Sequence, residues 1–281
     1  MEVAPNYSDP VISSLTGVTE TLLITLAARV LAPWENPDLK FEDPVAEYVA
    51  RTIALDINRF KSDRKTMRGA VSRAIWFDKV VFRLLTAHPG ATCISFGSGL
   101  DVRQSRLAGV EYSSWIDVEL PDVHDLRRRF VPQKWRREEV VSEVAHPVSW
   151  LESVSATSGQ PIIFFAEGVF LYLDRDTIVS LLSALINLGK INNSKVFIVI
   201  DLISPILARL SRKNTSVRST GANFTIGVNT PDQVTSMFPE LNILESTDLM
   251  DVLGVSAALF RRLYQAATWG KLPYSGCCFS T

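Results

Sequence analysis

The sequence predicts an α/β fold, a doubly wound, mostly parallel, seven-stranded Rossmann-like sheet with an N-terminal helical lid. Seven short β-rich runs have ordinary strand length, those from residue 92 onward alternate with helical stretches, and the pattern changes at Pro89, before which only helices are read. Residues 1–88 are therefore assigned to a helical lid or cap and residues 89–281 to the α/β domain.

In the first part, helical character runs over Thr19–Leu31, Pro44–Leu55 and Lys65–Thr86. Asp43 caps the second of these, with Pro44 in the first turn, where a missing N–H costs nothing. Met67, Val71, Ile75, Val81 and Leu85 return at helical spacing in the third and give it one apolar face. In the second part, strands are read at Thr92–Phe96, Ser113–Val118, Glu139–Val144, Pro161–Ala166 and Lys195–Asp201. Helices at Asp101–Leu107, Val123–Phe130 and Thr177–Leu188 separate them, and such alternation requires right-handed crossovers and a parallel sheet. Leu241–Glu245 and Cys277–Ser280 supply the last two strands, flanking a helix over Ser256–Ala267, while Leu210–Pro231 is read as a loop within the fold.

Composition narrows the function. Lys plus Arg total 29 against 30 for Asp plus Glu, and a formal charge of −1 offers nucleic acid or acidic lipid no global attraction. The run Arg127-Arg128-Arg129, with Lys134, Arg136 and Arg137 after it, is read as a solvated face. Cys93, Cys277 and Cys278 are odd in number and have no metal-ligand spacing with His88, His124 and His146, which argues against zinc chemistry and fits a reducing compartment. His88 is placed at the surface, and the Cys277-Cys278 pair in the final strand. The opening MEVAPNYSDP lacks the basic-then-apolar order of a signal peptide, and no apolar run approaches the roughly 20 residues of a membrane span. The expectation is a cytoplasmic protein with a small-molecule substrate and no nucleic-acid or membrane partner.

The first strand ends in Phe96-Gly97-Ser98-Gly99-Leu100-Asp101, a turn whose glycines let the backbone approach a ligand at the carboxyl edge of the sheet. About 20 residues on, Asp117 and Glu119 end the second strand, where a carboxylate accepts hydrogen bonds from both ribose hydroxyls. The dinucleotide fingerprint requires a third glycine or alanine where this chain has Val102, which disfavours nicotinamide and flavin cofactors. S-adenosylmethionine needs less: an acid for its ribose, a cation for its carboxylate and an anion for its ammonium. Asp101 and Arg103 are read as capping and orienting the helix after the loop.

Asp43-Pro44, Ser72-Arg73 with Phe77-Asp78, Phe96-Gly97-Ser98-Gly99-Leu100-Asp101-Val102-Arg103, Glu119-Leu120-Pro121 and Ala166-Glu167-Gly168-Val169-Phe170-Leu171-Tyr172-Leu173 occur in that order. Together with Gly17-Val18-Thr19-Glu20-Thr21-Leu22, this set resembles the leucine carboxyl methyltransferases and the tetracenomycin-type polyketide carboxyl O-methyltransferases, over about residues 17–201. The resemblance implies a class I methyltransferase fold with S-adenosylmethionine bound by the α/β domain. It implies that Arg73 grips the methionine carboxylate, Gly97 and Gly99 line the cofactor, and Glu167 sits beside the ammonium. Ser142, Glu143 and Val144 would approach the adenine. The family's usual acid before Leu-Pro is aspartate, so either Glu119 or Asp117 holds the ribose here.

A carboxylate acceptor needs no general base, and the chain shows no obvious paired base, so carboxyl methylation is favoured, with a phenol as the other acceptor class. Such an activity belongs to natural-product biosynthesis. Tyr7, Leu22, Leu26 and Trp34 are candidates for the acceptor pocket. Two alternatives stand beside this reading. The similar azetidine carboxylate synthases use S-adenosylmethionine as sole substrate, its amine closing a four-membered ring and expelling methylthioadenosine; Tyr172, Ser204 or Asp201 would then orient the amine, and Tyr172 and Ser204 are the catalytic candidates. The other alternative is a non-catalytic cofactor-binding protein.

Overall fold

The computed structural model describes residues 21–61, 63–142, 148–154, 156–211 and 224–281. Its centre is a seven-stranded sheet: β1 (Thr92–Phe96), β2 (Ser114–Glu119), β3 (Glu138–Val141), β4 (Ile162–Ala166), β5 (Val196–Ile203), β6 (Asn242–Asp248) and β7 (Tyr274–Ser280). The spatial order is β3-β2-β1-β4-β5-β7-β6, parallel except for β7, which runs antiparallel to both neighbours. This is the doubly wound, mostly parallel sheet read from the sequence. The chain winds outward from β1 to β3 and then crosses back to β4 on the other side of β1. That reversal opens a crevice at the carboxyl ends of β1 and β4, where α/β sheets place their ligands.

Every residue of β1, β4 and β5 is buried, as strands covered on both faces must be. Alternation along β4 divides its side chains between two layers. Ile162 and Phe164 face one core with Leu181, Leu182 and Leu185, whereas Ile163 and Phe165 face the other with Phe77, Val81 and Leu85. Each large side chain so buried contributes about 1.5–3 kcal/mol.

The helices before the sheet are α1 (Thr21–Glu35), α2 (Pro44–Thr52) and α3 (Arg64–Ala87). Asp43 caps α2 by accepting from the Ala46 amide at 2.9 Å, as its position before Pro44 predicts. The first half of α3, through Met67, Val71 and Ala74, packs with α1 and α2 over Leu100 and Val102, and its second half covers the sheet. Beyond β1 lie α4 (Pro121–Phe130), α5 (Arg175–Ile191), α6 (Pro205–Ser211), α7 (Pro231–Met237) and α8 (Val255–Ala267). α8 falls where a helix is expected over Ser256–Ala267, whereas α6 and α7 are not among the helices read from the sequence; they bound the stretch Leu210–Pro231 read as a loop, whose residues 212–223 lie outside the described ones.

Three expectations are corrected. No α-helix follows the glycine loop; a single 3-10 turn, Arg103–Ser105, replaces the one expected over Asp101–Leu107. Asp101 and Arg103 face arginine and carboxylate partners from distant elements, and these tertiary bonds hold the segment in place of a helix. His88 is half-buried, its ring 4.8 Å from that of Phe197. Arg127 does not belong to a solvated face: it is fully buried, with Arg128 and Arg129 exposed beside it. Cys277 and Cys278 are buried in β7, and burial pushes their thiols up to about 11 and about 12, so neither forms thiolate readily at neutral pH. Among the described residues no helix is long and apolar enough to cross a membrane.

Candidate active site

A cavity of about 850 Å³ opens at the carboxyl ends of β1, β2 and β4 and is roofed by residues of α1, α3 and α8. Its floor is the glycine loop. Gly97 and Gly99 hold φ of 69° and 61°, which side chains rarely adopt, and a Cβ on Gly97 would lie 2.7 Å from Val169 Cγ2. Both glycines are therefore required by backbone conformation as well as by space, Leu22 of α1 closing on Gly99.

Glu119, the last residue of β2, reaches this loop. Its Oε1 accepts from the Ser98 hydroxyl at 2.6 Å and from the Gly99 amide at 2.7 Å. The side chain lines the cavity, and burial pushes its carboxyl up to about 7 despite the attraction of Arg127. Asp117, two residues earlier on the same strand face, lies behind it. Asp117 binds Arg127 at 2.7 Å and the Trp115 indole N–H at 3.3 Å, and burial raises its pKa as well. Arg127 completes this cluster by donating to the carbonyls of Gly99 at 2.6 Å and Asp101 at 2.8 Å and by pairing with Glu139 at 3.1 Å. It thus fixes the loop from behind.

The opposite end of the cavity centres on Arg73 of α3. Its Nε donates to Glu167 Oε1 at 3.0 Å, and its Nη1 donates to the Tyr274 hydroxyl at 3.0 Å and pairs with Asp201 at 3.5 Å. Tyr274 in turn donates to Asp201 at 2.6 Å, and the other Asp201 oxygen accepts the Gly168 amide at 2.6 Å. Burial raises the pKa of Asp201 against the pull of Arg73, and it raises that of Tyr274 far more. Gly168, at φ 70°, leaves room for this guanidinium, since a Cβ there would lie 2.8 Å from Arg73 Nη2.

A network continues from Glu167 through Arg103, Asp78, Arg106 and Asp101 to Arg29 and Asp43. Desolvation opposes the charge on Asp101, but Arg106, Arg29 and Arg103 around it hold its carboxyl well below the usual range. Four arginines (Arg29, Arg73, Arg103 and Arg106) here meet five carboxylates (Asp43, Asp78, Asp101, Glu167 and Asp201). The cluster by itself is thus one negative charge in excess.

The residues picked from the sequence do not all meet here. Arg73, Gly97, Glu119, Ser142, Glu167 and Tyr172 line the cavity, with Gly99 in the loop beside it, while Glu143 and Val144 lie outside the described residues. Ser204 is corrected: it is buried, and its hydroxyl accepts the Leu207 amide at 3.2 Å at the start of α6, so it is a helix cap. Of the acceptor-pocket candidates Leu22 lines the cavity. Leu26 packs in the core between helices and Trp34 is 66% exposed, because each falls on another side of α1; Tyr7 lies outside the described residues. Sequence reasoning missed Arg127, Tyr274, Arg29 and Arg106. A signal for Arg127 existed, since it stands four residues after Val123 and three before Phe130, inside the buried stripe of α4. Tyr274 offered none.

With this geometry in place, comparison with known proteins is specific. A family model described as leucine carboxyl methyltransferase matches residues 22–186. The tetracenomycin polyketide synthesis O-methyltransferase TcmP of Streptomyces glaucescens is 32% identical over 237 residues, 84% of this chain and 85% of that protein. The S-adenosyl-L-methionine-dependent methyltransferase dpfgK of Gibberella zeae is 31% identical over 247 residues, covering 83% of this chain and 82% of that one. A solved structure of a duf574 family protein from Streptomyces avermitilis superposes with a TM-score of 0.49 at 13% identity, over 90% of this chain and 95% of that one, a level at which nothing about activity transfers. The ordered motifs, the matched family model and the two curated relatives agree: the chain belongs to the leucine carboxyl methyltransferase family and is an S-adenosylmethionine-dependent methyltransferase.

Proposed function

We propose that this enzyme methylates a small-molecule carboxylate in secondary metabolism, using the residues of the cavity as follows. Arg73 binds the methionine carboxylate, Glu167 faces the ammonium, Glu119 holds the ribose hydroxyls, and Ser142 borders the adenine, while Asp201 is buried behind Arg73. The donor set fits this cofactor on charge. The Arg73 cluster has one carboxylate more than it has arginines and Glu119 adds an acid at the other end, and S-adenosylmethionine is a net cation, its ammonium and sulfonium outweighing its one carboxylate. Asp117, locked to Arg127, supports Glu119 from behind. When bound, S-adenosylmethionine supplies an electrophilic methyl group.

The observation that carries the choice of acceptor is the chemistry of the lining. No histidine lines the cavity among the described residues, and burial raises the pKa of both lining tyrosines, Tyr172 and Tyr274, so neither accepts a proton at neutral pH. The lining carboxylates are engaged: Asp101 and Glu167 pair with arginines, Asp174 accepts the Thr177 amide, and Glu119 is bonded to Ser98 and Gly99 of the glycine loop. A carboxylate arrives already ionised and needs only to be held in line and shielded from water. TcmP, by its name an O-methyltransferase of polyketide synthesis, supports the same reading and the place in secondary metabolism. The volume favours transfer over cyclisation of the cofactor: about 850 Å³ lies high in the 300–1,000 Å³ range of small-molecule sites, and the cavity extends well past the Arg73 cluster.

Incubation with S-adenosylmethionine alone, followed by mass spectrometry, tests this. The cofactor should survive, and a screen of small carboxylic acids and phenols should then release S-adenosylhomocysteine with acids. Methylthioadenosine and a cyclic amino acid above the enzyme-free level overturn the assignment.

A further inference from the structure

Past the Arg73 cluster the cavity has apolar walls, built by Leu207, Phe224, Met250, Leu253 and Phe260. Four cations line the cavity as a whole, and three of them, Arg29, Arg73 and Arg103, are bound to carboxylates. The fourth, Lys65, has no carboxylate partner among the described residues. It is exposed at the opening, where its Nζ donates to the Ser256 hydroxyl at 3.2 Å and so links α3 to α8. Lys65, Gly69 and Arg73 succeed one another at four-residue spacing and share a face of α3, with the two cations about 12 Å apart along the axis. Gly69 leaves the wall between them without a side chain, and the nearest atom to a Cβ there is Leu253 Cδ2 at 3.6 Å.

This arrangement suits an elongated ligand with an apolar body and an acid at each end. Resting on the methyl-transfer reading, we infer that Lys65 is a specificity-determining residue that binds an anionic group on the acceptor, distal to the carboxylate methylated near the Arg73 cluster. Lys65 is exposed, and an ammonium at the water boundary pairs with an anion at modest desolvation cost. Ser256 orients the ammonium across the opening. A monoanionic acceptor of the same body binds without this contact.

The test uses the full-length enzyme saturated with S-adenosylhomocysteine and two probes, a naphthalene dicarboxylate with its acids at opposite ends and the corresponding naphthoate, titrated calorimetrically. The wild type should prefer the dicarboxylate by about fivefold, the range of a partly exposed ion pair. Lys65→Met should abolish that preference without changing naphthoate affinity, and Lys65→Arg should keep most of it. Equal affinities in the wild type, a preference that survives in Lys65→Met, or no binding of either acid to the loaded enzyme overturns the inference. Failure of S-adenosylhomocysteine itself to bind indicts the cofactor reading instead, and is seen before either probe is added.

Discussion

Glu119→Gln is the most informative perturbation, because it separates the cost of the site from its use. In an unfolded chain a glutamate titrates near 4.5, and here burial raises it to about 7. A carboxyl raised in this way keeps a proton in the folded state that the unfolded chain has released. Its ionisation therefore costs nothing below about 4.5, costs progressively more as pH rises to about 7, and costs its full amount above that. At 1.36 kcal/mol per pH unit, the gap amounts to about 3 kcal/mol of lost stability in the ligand-free protein at pH 8. Glutamine retains an oxygen for the Ser98 hydroxyl and the Gly99 amide, which are the neighbours of Glu119 Oε1. The variant should therefore melt higher than the wild type at pH 8, by roughly 6 °C, and should match it at pH 4.5. Its affinity for S-adenosylmethionine should fall about tenfold or more at pH 8, since a neutral amide accepts more weakly than a carboxylate. For the wild type, affinity should rise about tenfold from pH 6 to pH 8 as Glu119 ionises. Melting curves at pH 4.5 and pH 8, with calorimetric titration at pH 6 and pH 8, give all three quantities. A melting advantage that is absent, or equal at both pH values, refutes the reasoning.

Arg73→Ala should weaken S-adenosylhomocysteine binding about a hundredfold in calorimetry and lower stability by about 3 kcal/mol, because Asp201 stays buried without its cation while Glu167 keeps Arg103; unchanged affinity excludes the carboxylate clamp. Gly168→Ala should displace the same guanidinium, which a Cβ would approach to 2.8 Å, and reduce affinity more than tenfold; chemical denaturation should show a loss of only about 1–2 kcal/mol, the strain of φ 70° included. Arg127→Met should cost about 3–5 kcal/mol in the same assay by stranding Asp117 and freeing the carbonyls of Gly99 and Asp101, while Arg128→Met, one residue on and exposed, should change stability by less than about 0.5 kcal/mol.

Much of this molecule follows from local order in the chain. Fully buried strands are continuous apolar runs, and β1 is found at Thr92–Phe96, as its composition requires. Glycine at 97 and 99 and the acids after β2 and β4 declare a ligand edge, because backbone conformation and strand ends are short-range properties. Sequence alone also identified the cation, Arg73, that the fold brings to Glu167 across 94 positions. What it could not supply were choices made by three-dimensional neighbours. Asp117 and Glu119 share a strand face and differ by two residues, yet Arg127 neutralises one and leaves the other facing the cavity. Arg127 itself reads as one of three adjacent surface cations until the helix turns it inward, and Ser204 reads as a polar group at a strand end until it caps α6. Tyr274 joins Arg73 and Asp201 because β7 runs antiparallel beside β5, a pairing decided by the whole sheet. Periodicity and turn chemistry act over a few residues, whereas burial and charge pairing depend on which distant segments share one low-dielectric space. For that reason the chain announced its fold and the glycine edge of its sheet, and only tertiary structure decided which of its charged groups are locked in buried pairs and which face the cavity.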